Sequence, residues 1–317
     1  MSAAADWKRP GEAATAAERT LEGVLAQVER WQGASLRYRP VSGGISNTNW
    51  RIGVEGASGD YFLKVPGRGT EMFIERVAAN DASRRAHASG FGVEVIDFLP
   101  GPGVEIFAFV EGFRASTNLD FLRPAVRQNA VRALRAFNDS PALGLTKTVF
   151  DMIDEHVEQV AMVGGRLPAD QAFLMRRFEE ARAALTASGL DLVPCMNDTL
   201  AGNFMIDDQD RVLLVDFEYA SNNERTYELA LWFDEMAFPE AIERELIEAY
   251  FGAWTPAIDA RVKILKALGD LKWSTWAMIQ EAVSTLDFDY YKYGTWKHMR
   301  ARALFHHPDW ASWLRRV

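Results

Sequence analysis

Three side chains in the middle of the chain could work together. They are Asp198, Asn203 and Asp216, carried by Asn197-Asp198-Thr199-Leu200-Ala201-Gly202-Asn203 and by Val215-Asp216-Phe217-Glu218. Phosphoryl transfer to a hydroxyl needs a carboxylate that orients and deprotonates the attacking oxygen. It also needs hard oxygen ligands for Mg²⁺, which an amide and a second carboxylate supply. Asp, Asn and Gly favour turns as well. Asp207, Asp208 and Asp210 read as turn residues of that kind, whereas Asp216 reads as the end of an apolar strand.

Two further features suit a phosphate. Ser42-Gly43-Gly44-Ile45-Ser46-Asn47-Thr48-Asn49 lies between two predicted strands. A glycine pair there lets backbone N–H groups approach phosphate oxygens, although the same pattern makes a plain hairpin turn. Lys64 sits inside the apolar run Phe62-Leu63-Lys64-Val65. Burying its ammonium without a partner is costly, so it either reaches solvent or meets a phosphate or a carboxylate. Neither the P-loop pattern nor the dinucleotide fingerprint is present.

The elements that must hold these residues follow from periodicity. A helix is expected over 12–32, then strands over 35–41, 48–54 and 61–65. A helix over 71–89 and strands over 93–98 and 103–110 come next. From residue 118 onward the pattern is helical: 120–138, 148–162, 168–189, 225–237, 239–253, 258–284 and 290–303. A β-hairpin over 203–206 and 211–216 interrupts it. The expected fold class is α+β, with a β-rich N-terminal lobe (1–110) and a large helical C-terminal lobe (111–317). Clefts between two such parts are common sites for small ligands.

On the helix over 258–284, Trp273, Trp276 and Gln280 fall on one face. Phe288 and Tyr293 follow. Aromatic faces hold an ammonium at about 0.5–2 kcal/mol per contact, but a stripe of this kind also packs a core.

Bulk properties narrow the choices. The chain has 317 residues, 48% of them hydrophobic, enough for a large core. The net charge of −9 and the lack of a basic block argue against nucleic acid. The single cysteine, Cys195, rules out an internal disulfide and fits a reducing compartment. The sequence shows no apolar run of spanning length and no apolar signal core, so the expectation is a cytoplasmic protein without membrane insertion.

The glycine-rich hairpin, the strand lysine, Asn-Asp-x-x-x-Gly-Asn and Val-Asp-Phe-Glu-Tyr together resemble the choline/ethanolamine kinase family. That family belongs with the aminoglycoside phosphotransferases and shares the protein-kinase architecture; the resemblance covers residues 35–300. It implies ATP and Mg²⁺ as cofactors, a cationic amino alcohol as substrate and a place in phospholipid precursor metabolism. Asp198 is then the catalytic base, and Asn203 and Asp216 are the metal ligands. Lys64 holds the ATP phosphates beneath a loop containing Ser42, Gly43, Gly44, Ser46, Asn47 and Thr48. The crossover Phe109-Val110-Glu111-Gly112 contacts adenine, mainly through backbone groups at Phe109 and Glu111. Glu218, Tyr219, Trp273, Trp276, Gln280, Phe288 and Tyr293 surround the head group.

The sequence departs from the family at several points. Met196 stands where a histidine is usual, and Ala79 where a helix glutamate pairs with the strand lysine; Glu75 or Asp81 is the expected substitute. Glu228 and Leu231 replace Asp and Asn on the next helix, and Glu281 follows Gln280. Two alternatives stay open: a kinase for another hydroxylated compound, such as an aminoglycoside, and a pseudokinase that binds without turnover. The sequence leaves the oligomeric state and the role of the first helix open.

Overall fold

A computed structural model describes residues 6–42, 47–67, 74–284 and 286–317. Gly43, Gly44 and Ser46 lie outside the described residues.

The N-terminal part is built on strands rich in β-branched and aromatic residues: β1 (Leu36–Val41), β2 (Asn47–Val54), β3 (Tyr61–Pro66), β4 (Val95–Leu99) and β5 (Val104–Ala108). They form one sheet in the order β1-β2-β3-β5-β4, every neighbouring pair antiparallel. Helix α1 (Ala16–Leu25) starts at a capping box made by Thr15 and Glu18. Its Leu21, Val24 and Leu25 pack into one core with Tyr38, Trp50, Ile52 and Leu63 of the sheet. The first helix is therefore part of the small core. The helix expected over 12–32 stops early. Val28 is extended, with φ −80° and ψ 102°, and a 3₁₀ turn at Glu29–Trp31 follows. That detour brings Trp31 against Tyr61, with ring centroids 5.3 Å apart. Helix α2 (Arg76–Ala88) lies between β3 and β4 in the chain.

Past the sheet, the expected helix over 120–138 divides. Pro124 cannot donate its backbone nitrogen and is placed at the start of α3 (Pro124–Asn138), after a 3₁₀ turn at Asn118–Leu122. Helices α4 (Val149–Met162), α5 (Gln171–Ser188), α6 (Arg225–Met236), α7 (Glu240–Phe251), α8 (Pro256–Val283) and α9 (Tyr290–Phe305) match the periodic segments, and α10 (Trp310–Arg316) adds a last turn. A small sheet joins β6 (Arg114–Ala115), β8 (Phe204–Ile206) and β9 (Val212–Leu214).

A second pairing had no sequence signal: β7 (Leu192–Cys195) with β10 (Ser221–Glu224). Every residue of β10 is buried and none is apolar. Such a strand survives only because its polar groups are satisfied. Asn222 bonds both the N–H and the carbonyl of Leu143, Asn223 accepts from the Val149 N–H, and Glu224 pairs with Arg261 at 2.9 Å.

Helix α8 is the axis of the helical part. From Ala267 to Ile279 every residue is buried. Gly294 lets α9 lie against it, since a Cβ there would stand 2.5 Å from Met278 and 2.9 Å from Ala277. No helix of the described residues is long and apolar enough to cross a membrane.

Candidate active site

The loop carrying Asp198 is held from behind. Asn197 is buried with a left-handed φ of 58°. Its amide nitrogen donates to the Tyr219 carbonyl and the Ser221 hydroxyl, both at 2.8 Å, and its oxygen accepts from Asn223 at 2.9 Å. The sequence thus ties the loop to the segment that follows Asp216. Met196, in the place of the usual histidine, is fully buried in the core. Its N–H donates to the Glu228 carboxyl at 2.7 Å. Burial pushes the Glu228 pKa up to about 7, against the pull of that hydrogen bond.

With the backbone fixed, Asp198 is left open. Its carbonyl accepts from Asn203 Nδ2 at 2.9 Å. Among the described residues no side chain hydrogen-bonds its carboxylate. Burial, reinforced by the charge of Asp216, raises its pKa, and Lys272 opposes that rise. A carboxylate whose pKa moves toward neutrality is suited to accept a hydroxyl proton.

Asp216 does not end the strand, as the sequence suggested. It lies beyond Leu214 with a left-handed φ of 67°, while the Val215 N–H bonds the Asn203 carbonyl at 3.0 Å. The two expected metal ligands are thus fastened side by side through the backbone. Asn203 spends its amide nitrogen on Asp198, which leaves Oδ1 as its available oxygen. Lys64 bonds Asp216 Oδ1 at 2.6 Å, leaving Oδ2. Among the described residues no group of three His, Cys, Asp or Glu side chains could cage a metal. This donor set suits Mg²⁺, which is held through one or two protein oxygens with the rest from phosphates and water.

Lys64 is buried and compensated. Besides Asp216 it meets Glu218 at 3.1 Å, and Glu105 is its cross-strand partner. Burial pulls its pKa down, but the charges of Asp216, Glu218 and Glu105 outweigh burial and raise it. Neither expected substitute from α2 pairs with it: Asp81 bonds Arg85 at 2.9 Å, and Glu75 is exposed. The helix reaches the lysine through β5 instead. Asn80 of α2 donates to Glu105 at 3.1 Å, and Ser83 adds a second bond. Glu218 also accepts from Arg76 at 2.7 Å and from Asn47 at 2.9 Å. That makes it a latch between the sheet and the helical part, in place of a carboxylate open to the head group.

Ser42 and Thr48 are exposed. The Phe109 N–H is taken by the Asp60 carbonyl at 3.0 Å, and its ring lies under the Arg51 guanidinium at 3.9 Å. Glu111 points to solvent and pairs with Arg51.

The aromatic residues form a continuous wall. Tyr219 meets Trp273 at 5.3 Å, Trp273 meets Trp276 at 5.4 Å, and Trp276 meets Tyr293 at 6.2 Å. Phe288 packs on Tyr293 at 6.1 Å but is 44% exposed. Gln280 sits at the partly exposed end of α8, and Glu281 is turned to Arg166 at 3.0 Å. Tyr290, which sequence reasoning passed over, joins the wall 5.8 Å from Trp276.

Lys272 was also missed. It has no exposed surface, and its Nζ has no hydrogen-bond partner among the described residues. The ammonium lies 3.2 Å from the Trp273 ring centre and 4.6 Å from that of Tyr219. Cation–π contact recovers about 2 kcal/mol when desolvated. Taking an ammonium out of water costs roughly several kcal/mol. The rings alone do not offset that cost, and burial accordingly lowers the Lys272 pKa. Glu235, buried and paired with Lys297, contributes a negative charge felt by both Asp198 and Lys272.

This geometry agrees with comparison to known proteins. Residues 37–265 match the phosphotransferase enzyme family, and the chain belongs to that family. Within it the chain is similar to choline and ethanolamine kinases. A choline/ethanolamine kinase family protein from Mesorhizobium loti is 29% identical, with 95% of this chain and 98% of that one covered and a TM-score of 0.81. A probable ethanolamine kinase of Arabidopsis thaliana is 25% identical over 80% of this chain and 75% of its own length. The structure of LicA in complex with AMP, 20% identical, covers 93% of this chain and 96% of that one with a TM-score of 0.71. The protein is a small-molecule kinase.

Proposed function

We propose that the protein transfers the γ-phosphoryl group of ATP to the hydroxyl of a small amino alcohol. The observation that carries this reading is the meeting of Lys64 with Asp216 at 2.6 Å, beside a loop that leaves the Asp198 carboxylate open. The outer rings of the aromatic wall, Trp276 and Tyr293 at 6.2 Å, support an ammonium-bearing acceptor, as do the relatives named for choline and ethanolamine.

Asp198 orients the acceptor hydroxyl and takes its proton as the oxygen–phosphorus bond forms. The bond between the γ-phosphorus and its bridging oxygen breaks, and ADP leaves. Mg²⁺ held by Asn203 and Asp216 would neutralise charge on the phosphates. Lys64 adds a fixed positive charge at the same end, so catalysis is mainly positioning and electrostatics. The sheet side, up to residue 110, serves the nucleotide, and the helical side serves the acceptor.

The test is ATP consumption by purified protein with Mg²⁺, across choline, ethanolamine, methylated ethanolamines and an aminoglycoside. Turnover with an amino alcohol is expected. Turnover with the aminoglycoside alone would replace the acceptor class, and Mg²⁺-dependent ATP binding without any turnover would favour a binding module.

A further inference from the structure

The wall that should receive a cation already contains one. Lys272 Nζ lies between the faces of Trp273 and Tyr219, where an ammonium of the acceptor would otherwise rest. It is wholly buried and has no hydrogen-bond partner among the described residues. The charges of Asp198 and Glu235 reach Lys272, but a buried ammonium without a hydrogen-bond acceptor is an incomplete arrangement; what completes it is a ligand oxyanion.

The surroundings leave room for one. Lys272 lines a cavity of about 30 Å³ together with Lys147, His156, Glu218 and Tyr219. That space holds about two water-sized groups, which matches the two oxygens of a carboxylate. Of the acids that line it, Glu218 is committed to Lys64 and Arg76 and Glu155 to Lys147, while Glu75 is solvent-exposed. His156 turns Nδ1 toward the Lys272 carbonyl at 3.2 Å.

We propose that Lys272 determines acceptor specificity: its ammonium binds a carboxylate on the substrate, so the preferred acceptor is a hydroxylated amino acid, not a plain amino alcohol. The proposal rests on the kinase reading above and deepens it. A quaternary ammonium is disfavoured at the inner rings, because Lys272 fills that position with a like charge.

Matched acceptors that differ only by a carboxylate give the experiment: L-serine against ethanolamine, and L-homoserine against 3-aminopropanol. In the unmodified enzyme the carboxylate-bearing member of at least one pair is expected to have the higher kcat/KM, by tenfold or more. Lys272→Met, which keeps length and removes charge, is expected to cancel that preference and to lower KM for choline. A Lys272→Met enzyme whose acceptor preferences match those of the unmodified enzyme overturns the proposal while leaving the kinase reading intact. Should neither enzyme consume ATP with any acceptor, the kinase reading fails, and calorimetric titration still decides on Lys272. L-homoserine binding that weakens tenfold or more in Lys272→Met supports the assignment; unchanged binding overturns it. Inorganic phosphate is titrated alongside. Lys272-dependent binding of phosphate but of no carboxylate assigns the lysine to the phosphorylated product and overturns the acceptor proposal.

Discussion

The two ends of the site are built on opposite electrostatic plans. At the nucleotide end, Lys64 is surrounded by Asp216, Glu218 and Glu105, and Glu218 is itself held by Arg76 and Asn47. Every charge there has an opposite before any ligand arrives. At the acceptor end, Lys272 has aromatic faces but no hydrogen-bond partner among the described residues, and Asp198 presents an uncommitted carboxylate. A paired end needs no ligand to satisfy its charges. On the proposal above, the other end is the one that its ligand completes, and the acceptor is chosen there.

The comparison can be broken most sharply at Asp198. Asp198→Ala is expected to lower turnover by about 10²–10⁴-fold, the usual contribution of a positioned base, while nucleotide affinity stays near normal. Robust turnover by that variant would remove Asp198 from the chemistry. Asp216→Asn tests the other end. Here nucleotide affinity is expected to fall and to lose most of its dependence on Mg²⁺; a titration with unchanged metal dependence places the metal elsewhere.

Next in size is an effect on stability. The buried Glu228 has its pKa raised from 4.5 to about 7, so the folded protein keeps a proton that the unfolded chain has released. Stability is therefore lost as pH rises from about 4.5 to about 7 and is level above that, with a total of roughly a few kcal/mol. Glu228→Gln keeps an acceptor for the Met196 N–H and should flatten this slope; denaturation midpoints across that pH range give the answer. The smallest effect is expected at the aromatic wall. Trp276→Leu should raise the acceptor KM by about 2–30-fold, the range of one cation–π contact, with little change for ATP. Equal changes for both substrates would mark Trp276 as a packing residue.

Much of this arrangement was legible. Asp198 and Asn203 stood out because, with Asp216, their types and spacing suit a base and metal ligands for phosphoryl transfer, and Lys64 because a lysine is costly inside an apolar run. The sheet and most helices followed from period. What escaped had no local signal. The polar strand β10 exists only because Leu143, Val149 and Arg261, distant in sequence, satisfy its side chains. Glu218 read as an acceptor contact because its bond to Arg76 depends on how α2 docks. Lys272 was missed for a different reason. A lysine on a helix normally marks a solvated face, but α8 has no such face around it. Periodicity singled out Trp273 and Trp276 and passed over the neighbour that changes their meaning.

The complete burial of α8 across that stretch also bears on how such a pocket diversifies. A helix enclosed on all sides has little freedom to shift when one side chain changes, since packed interiors transmit strain instead of absorbing it. Changes of acceptor among descendants of this chain would therefore come as single-residue exchanges at 272, 273 or 276, each reshaping the pocket on a stationary frame. Gradual drift of the helix, with many small compensating changes, is the route this architecture closes.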